Sequence, residues 1–127
     1  MSGVVADTSV WIDFLAGRPV ALLEDALARA AVILPPIVVA ELVCGARRER
    51  DRRAVQALVQ ELPIHETPLE HWMKVGELRR RVRDRGLSVS TPDAHVAQCA
   101  LDRDAVLLSR DAIFARIASI TGLRVSG

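Results

Sequence analysis

The strongest constraint on the fold is an alternation of short apolar runs with amphipathic, helix-like segments. Gly3-Val4-Val5-Ala6 and Ala105-Val106-Leu107-Leu108 are both too short for a buried helix, and each is followed within three residues by an acid. Such runs between helical segments predict parallel strands joined by right-handed crossovers. We therefore expect an α/β, Rossmann-like fold of three layers, in which helices flank a mostly parallel sheet of four to five short strands.

The remaining strands are expected at residues 32–34, 62–65 and 123–125, where apolar and β-branched residues lie between turn signals. The segment from Thr67 to about Arg85 is predicted as a helix. Its expected inner face is Leu69, Trp72, Met73 and Gly76. The length of 127 residues suits one domain, 1–127, without repeats or linkers.

Composition narrows the functional classes. No apolar run reaches the 18 residues that a membrane span needs, and no signal peptide is evident, so a cytoplasmic protein is expected. Cys44 and Cys99 lie in apolar helical stretches and are interpreted as buried free thiols of a reduced compartment. The three histidines (His65, His71, His95) are scattered along the sequence, which predicts no zinc cluster.

Four acids form the most informative pattern. Asp7 and Asp111 follow predicted strands, Glu41 stands alone in an apolar helical run, and Asp93 lies in the first turn of a helix. Glu41 at a helix rim and Asp93 as a capping residue remain alternatives. The carboxyl ends of parallel strands share one edge, so the four acids are expected to converge there. Such a cluster suits Mg²⁺ or Mn²⁺, which activate water for in-line attack on a phosphodiester.

Sixteen of the seventeen cationic residues are arginine, although the net charge is only +1. Five arginines fall in residues 47–53 and five in residues 79–85. One interpretation is solvated helix surface, and the other is contact with RNA phosphates, which the planar guanidinium matches. The candidate phosphate contacts are Arg47, Arg48, Arg79, Arg80 and Arg110.

Four stretches in order along the chain carry a family resemblance. They are Val-Val-Ala-Asp-Thr-Ser-Val-Trp-Ile-Asp, Pro-Pro-Ile-Val-Val-Ala-Glu-Leu-Val-Cys-Gly-Ala-Arg, Thr-Pro-Asp-Ala-His-Val-Ala-Gln-Cys-Ala-Leu and Val-Leu-Leu-Ser-Arg-Asp-Ala-Ile-Phe. Together they resemble PIN-domain ribonucleases of the VapC type, the toxins of bacterial toxin–antitoxin pairs. The sequence departs from the family pattern at Ile113, where an acid is frequent, and at Ser109, where Thr is frequent.

The resemblance implies a PIN-like fold and a metal-dependent endoribonuclease. By position, its acidic site would be Asp7, Glu41, Asp93 and Asp111, and its hydroxyl would be Thr8 or Ser9. It also implies Mg²⁺ or Mn²⁺ as cofactor, RNA as substrate, a homodimer, and a cognate antitoxin that blocks the site. Apolar residues of the first helix (Trp11, Phe14, Leu15) are candidate antitoxin contacts, with core packing the alternative for Trp11.

Two other functions remain open. One is a PIN-fold module that binds or processes RNA outside a toxin–antitoxin pair. The other is a receiver-type phospho-acceptor domain, which also gathers acids at strand ends. A receiver would need adjacent acids after its first strand and a lysine after a late strand, whereas Lys74 falls within a helix. The RNA target and the number of metal ions do not follow from the sequence.

Overall fold

A parallel sheet forms the centre of the computed structural model, which describes residues 3–127. Its strands are β1 (Val4–Ala6), β2 (Val106–Leu108) and β3 (Arg124–Ser126), in the order β1-β2-β3. Both pairings are parallel. Because the strands are parallel, the residues that follow β1 and β2 emerge at the same edge. Met1 and Ser2, the first two residues of the predicted domain, lie outside the described residues.

Helices flank this sheet. In chain order they are α1 (Thr8–Leu15), α2 (Ala21–Ala28), α3 (Pro36–Gly45), α4 (Glu49–Glu61), α5 (Leu69–Arg83), α6 (Thr91–Asp102) and α7 (Ala112–Ala118). The predicted α/β class is therefore confirmed. No helix within residues 3–127 is long and apolar enough to cross a membrane.

The prediction of four to five strands is wrong, because the described residues contain three. Residues 32–34 and 62–65 make only single parallel bridges, the first to β1 and the second to the first segment. Prolines account for the short pairing: Pro35, Pro36 and Pro63 have no backbone N–H, so none can donate to a ladder. These segments extend the sheet on the side away from β3 without forming regular strands.

Helix α6 lies at the centre of the packing, between α5 and the strands β1 and β2. Every residue from Ala94 to Ala100 is buried, although a helix at a protein surface usually buries only one stripe. Small side chains at Ala94, Ala97 and Ala100 allow the neighbouring elements to approach closely. The position of α6 matters for the site, because its first turn carries Asp93.

The predicted inner face of α5 is wrong. Leu69, Trp72 and Met73 are exposed, with Trp72 at 37%. The buried positions are His71, Val75, Leu78 and Val82. The buried face of α5 begins with a histidine. Because the helical periodicity was taken from apolar residues alone, it placed the buried face at the neighbouring positions.

Both cysteines are free, as predicted. Cys99 is buried in α6, but Cys44 is exposed near the end of α3, so the prediction of burial is wrong for Cys44. Helix α3 is apolar on nearly every side, while only Val38 and Leu42 are fully buried. An apolar sequence therefore did not guarantee a buried cysteine on this helix.

Candidate metal centre

Asp7 sits at the end of β1 and begins α1. Its Oδ1 accepts hydrogen bonds from the backbone N–H of Val10 at 3.1 Å and from the hydroxyl of Ser9 at 2.8 Å. Its Oδ2 accepts a hydrogen bond from the hydroxyl of Ser109. The residue is only 7% exposed. Three donors therefore hold this buried carboxyl group in one orientation.

Asp111 follows β2 and lies beside Asp7 because β1 and β2 are neighbours. The backbone N–H of Asp7 donates to the carbonyl of Leu108 at 3.1 Å. Ser109 then connects the two acids: its hydroxyl donates to Asp7 and accepts from the backbone N–H of Asp111 at 3.0 Å. Asp111 itself caps α7, where its Oδ1 accepts from the N–H of Ile113 at 3.0 Å.

Glu41 reaches the same edge from α3. The hydroxyl of Thr8 donates to its Oε1 at 2.7 Å, so the side chain is held to the start of α1 directly beside Asp7. The residue is also exposed. Glu41 thus faces water, as the rim interpretation expected, and simultaneously lies against the strand end that carries Asp7.

Asp93 lies in the first turn of α6, where its backbone N–H donates to the N-cap hydroxyl of Ser90 at 3.2 Å. Burial raises the pKa of the Asp93 carboxyl above its usual value. The negative charges of Asp111, Glu41 and Asp7 raise it further, against the opposing effect of the Ser90 hydrogen bond. The four acids predicted from the sequence are therefore close enough to act on one another electrostatically.

These acids do not form a tight cluster of ligand atoms. Within residues 3–127, no three of them bring carboxylate oxygens to within 4.8 Å of one another. Like charges repel at such distances, by about 3 kcal/mol for a pair 5 Å apart at an effective dielectric of 20. Two of the carboxylates are also committed to local partners, namely Glu41 to Thr8 and Asp111 to the first turn of α7.

The donor set fits a hard divalent cation. All four groups offer carboxylate oxygens, the ligands that Mg²⁺ and Mn²⁺ prefer. A carboxylate has about four lone-pair sites, and Asp7 uses three of them within the chain, so one remains for a cation. Besides burial, the charges of Asp111, Glu41 and Asp7 raise the pKa of Asp93, and a bound cation would offset these charges.

The predicted phosphate-binding arginines are placed differently from one another. Arg47 and Arg48 are exposed between α3 and α4, and Arg80 is exposed on α5. Arg79 donates from Nε to the carbonyl of Val89 at 2.8 Å, which ties α5 to the segment before α6. Arg79 therefore lies at the same end of the molecule as Asp93.

Arg110 is already paired. Its Nη1 lies 2.7 Å from Oδ2 of Asp13, whose other oxygen lies 2.6 Å from Arg18. This ion pair connects α1 to the loop that carries Ser109 and Asp111. Sequence reasoning assigned no role to Asp13, and it treated Ser109 only as a departure from a family pattern. Ser109 directly follows a predicted strand, and this position could have indicated that its hydroxyl lies beside the acids.

Lys74 does not lie where a receiver-type domain needs its lysine. It is part of α5 and lies 3.5 Å from Glu70 of the same helix. A phospho-acceptor site would require a lysine at a strand end beside the acids. The position of Lys74 therefore argues against a receiver domain.

The three histidines are scattered along the sequence, but the prediction that they form no cluster is wrong. His65, His71 and His95 meet at the other end of α6, together with Cys99 and Asp102. They come from three separate segments of the chain, which only the antiparallel packing of α5 on α6 brings together. This group is separate from the acidic edge.

The fold is a parallel α/β sheet with Asp7 and Asp111 after two neighbouring strands and Glu41 and Asp93 on the helices α3 and α6. The chain belongs to the PIN-domain family, whose model matches residues 4–120. This confirms the family inferred from the four sequence stretches. A search of curated protein sequences found no significant match.

Solved structures share the fold over nearly the whole chain. VapBC2 from Rickettsia felis, bound to a DNA fragment from its promoter, matches with a TM-score of 0.79 at 18% identity, covering 97% of this chain and 96% of that one. VapBC-1 from nontypeable Haemophilus influenzae gives 0.77 at 21%, with coverage of 97% and 96%. VapBC-5 from Mycobacterium tuberculosis gives 0.71 at 22%, with coverage of 98% and 98%. At these identities the likeness establishes the fold.

Proposed function

We propose that the chain is a metal-dependent endoribonuclease that acts as the toxin of a type II toxin–antitoxin pair. One observation carries the proposal: Asp7, Glu41, Asp93 and Asp111 come from four separate elements and lie near one another at one edge of the sheet. Burial raises the pKa of Asp93, and the charges of the other three acids add to that rise. Membership of the PIN family supports it, because PIN domains are typically metal-dependent nucleases.

In this proposal the four acids hold Mg²⁺ or Mn²⁺. The bound cation would supply an activated water and would stabilise charge on the phosphodiester oxygens. Asp7 is the fixed member, because Ser9, Ser109 and the start of α1 orient it before substrate arrives. Glu41 and Asp111 would complete the set if their carboxylates turned from Thr8 and from the first turn of α7.

The arginines would bind the RNA backbone. Arg79 and Arg80 lie near the end of α5, beside the start of α6, so they flank the acidic edge. Arg47 and Arg48 follow α3, which carries Glu41. Arginine matches phosphate oxygens with paired donors, and such contacts position an RNA without reading its sequence. Arg110 would act mainly through Asp13, by holding α1 against the Asp111 loop.

An antitoxin is the proposed protein partner, since the structural relatives are parts of toxin–antitoxin complexes. A groove of about 260 Å³ lies between α1, α3 and α4, and Glu41 is part of its lining. Its wall includes Leu15 and Ile12, which is 53% exposed. An apolar helix with an arginine at its end would fill this groove and pair with the acids. A homodimer, as the resemblance implies, belongs to the same proposal.

The test is RNA cleavage by the purified chain. Total bacterial RNA would be incubated with the protein and Mg²⁺ or Mn²⁺, and new 5′ ends would be mapped by sequencing. We expect cleavage at a limited set of positions that requires the metal and stops with EDTA. Asp7→Asn and Asp93→Asn should each reduce the rate at least about 100-fold, because each removes a charge on which the cation and the reaction depend.

Asp25→Asn is the matched control, because Asp25 is an exposed acid on α2 that pairs only with Arg29. This variant should cleave at the wild-type rate. Equal cleavage by Asp7→Asn and wild type would contradict the proposal, since it would show that the activity comes from a contaminating nuclease or another site. Cleavage that persists in EDTA would contradict the role of the metal.

A further inference from the structure

A second cluster of ligand-type side chains lies in the part of the chain that the acidic site does not use. His65 precedes α5, His71 lies in its first turn, and Cys99 lies in the last turns of α6. All three are buried, with exposures of 5%, 2% and 0%. On α6, Cys99 lies six residues after Asp93, about 9 Å along the helix axis, and the other two ligands come from outside α6. The cluster is therefore distinct from the acidic edge.

Asp102 holds two of the imidazoles. Its Oδ2 accepts from Nε2 of His65 at 3.0 Å and from Nδ1 of His71 at 2.6 Å, and Gln98 donates to its Oδ1 at 2.8 Å. Burial alone would raise the pKa of this carboxyl, but the three hydrogen bonds hold it below its usual value. A carboxylate that holds one nitrogen of a histidine leaves the other nitrogen to bind a metal. The remaining nitrogens here are Nδ1 of His65, which accepts from Nε of Arg103 at 3.3 Å, and Nε2 of His71, which lies 2.7 Å from Nδ1 of His95.

The ligand atoms are close enough for one ion. One nitrogen each of His65 and His71 and the sulfur of Cys99 lie within 4.8 Å of one another. Zinc binds nitrogen at about 2.0–2.1 Å and thiolate sulfur at about 2.3 Å, so tetrahedral ligand atoms lie about 3.3–3.7 Å apart. Zinc binding therefore requires a contraction of about 1 Å, in which His65 and His71 give up their hydrogen bonds to Arg103 and His95.

The donor chemistry selects zinc over magnesium. Two imidazoles and a thiolate suit Zn²⁺, whereas Mg²⁺ prefers oxygen ligands such as those of the acidic edge. The Asp102 carboxylate and a Cys99 thiolate offset the two charges of Zn²⁺, while the Arg103 guanidinium beside His65 adds one positive charge to the cluster. His95 lies against the same group, with Nδ1 2.7 Å from Nε2 of His71 and Nε2 3.7 Å from the Cys99 sulfur. A fourth ligand, either His95 or a water, is therefore at hand.

We propose that His65, His71 and Cys99 form a structural zinc site that joins the segment before α5 to α5 and α6. Burial raises the pKa of the Cys99 thiol, so the metal-free protein keeps its S–H. Binding exchanges that proton for the metal: one Zn²⁺ enters, one Zn–S bond forms, and one proton leaves to solvent.

The alternative is a purely hydrogen-bonded cluster. Three neutral histidines, one carboxylate and one thiol can satisfy each other in sequence from Arg103 through His65, Asp102, His71 and His95 to Cys99. This arrangement needs no metal, so the experiment must distinguish a zinc site from a hydrogen-bonded cluster.

The first measurement is metal content by mass spectrometry. Tag-free protein, expressed in medium containing zinc and passed through a desalting column, should carry about one Zn²⁺ per chain. Cys99→Ser and His65→Gln should each carry less than a fifth of that amount, and His65→Gln gives a second readout if Cys99→Ser fails to fold. Cys44→Ser, which alters the exposed thiol, and Asp7→Asn, which alters the acidic edge, should retain full zinc.

The second measurement replaces zinc with Co²⁺ and records the absorption spectrum. A Cys99 thiolate bound to Co²⁺ should give a near-ultraviolet sulfur-to-metal band, together with intense visible bands of a tetrahedral site. Both should vanish in Cys99→Ser and persist in Cys44→Ser. Wild-type protein without zinc and without these bands would overturn the proposal in favour of the hydrogen-bonded cluster. Zinc retained by Cys99→Ser or lost by Cys44→Ser would overturn it as well.

Discussion

Ser109→Ala tests how the acidic edge is built, because this hydroxyl bridges the two acids that follow β1 and β2. The variant removes the donor to Oδ2 of Asp7 and the acceptor of the Asp111 backbone N–H. Ser109 is only 5% exposed, so water replaces these hydrogen bonds poorly. A hydrogen bond to a charged group is worth about 1.5–3 kcal/mol and an ordinary one about 1 kcal/mol, which gives a loss of about 2.5–4 kcal/mol.

The assay is urea unfolding followed by circular dichroism at pH 7.5 in EDTA. A typical domain is stable by about 5–15 kcal/mol, so Ser109→Ala should remain folded and measurable. Ser119→Ala is the matched control, because its hydroxyl bonds one carbonyl at the exposed end of α7. We expect the control to lose less than about 0.5 kcal/mol. Ser109→Thr keeps the hydroxyl and should recover most of the stability.

The same variants should also differ in how much added metal stabilises them. Asp7 without its Ser109 donor is less well oriented, and loss of an orienting partner typically weakens metal binding about 10–100-fold. Added Mn²⁺ should therefore raise the Tm of Ser109→Ala less than that of Ser119→Ala. A stability loss no larger than that of Ser119→Ala, with an unchanged Mn²⁺ response, would refute the bridging role of Ser109.

Three further predictions concern single residues. Asp93→Asn should raise the Tm in EDTA, because it removes a charge that the other acids repel. It should also abolish the Tm increase that Mn²⁺ gives the wild type. A Tm in EDTA below that of the wild type would contradict the repulsion. Burial, His71 and His65 lower the pKa of His95 to about 4 in the folded protein. As the pH falls below about 6.5, His95 is therefore protonated in the unfolded chain while it is still neutral in the folded one. Stability measured by urea unfolding in EDTA should thus be full above that pH and about 2 kcal/mol lower at pH 5, and a flat profile from pH 5 to 7 would contradict the shift. Arg110→Gln should cost less than about 1 kcal/mol by the same method, since its ion pair with Asp13 is exposed on the arginine side, and a larger loss would show that the pair is structurally important.

The acidic edge was predictable from the sequence because its positions are set by local rules. A short apolar run followed by an acid predicts a strand end, and parallel strands place their ends together. Asp7 and Asp111 follow directly from that argument. The number of strands was harder to predict. Residues 32–34 have a strand-like sequence, but Pro35 and Pro36 directly after them have no backbone N–H, so the pairing ends after a single bridge.

The histidine cluster could not be predicted by spacing. His65, His71 and Cys99 are brought together by the packing of α5 on α6, and no short-range pattern in the sequence records that packing. The same packing explains the misplaced face of α5. A buried histidine at His71 interrupts an apolar stripe, so periodicity favoured Trp72, which is partly exposed and stacks on His95 with ring centroids 4.7 Å apart.

The central claim is that four carboxylates from separate elements hold one kind of cation at the edge of the sheet. The most direct test is anomalous diffraction from crystals grown with Mn²⁺, recorded on either side of the manganese absorption edge. We predict a manganese peak within about 2.0–2.4 Å of oxygens from Asp7 and at least two of Glu41, Asp93 and Asp111. No manganese peak there at millimolar Mn²⁺, or a peak on other residues alone, would contradict the account.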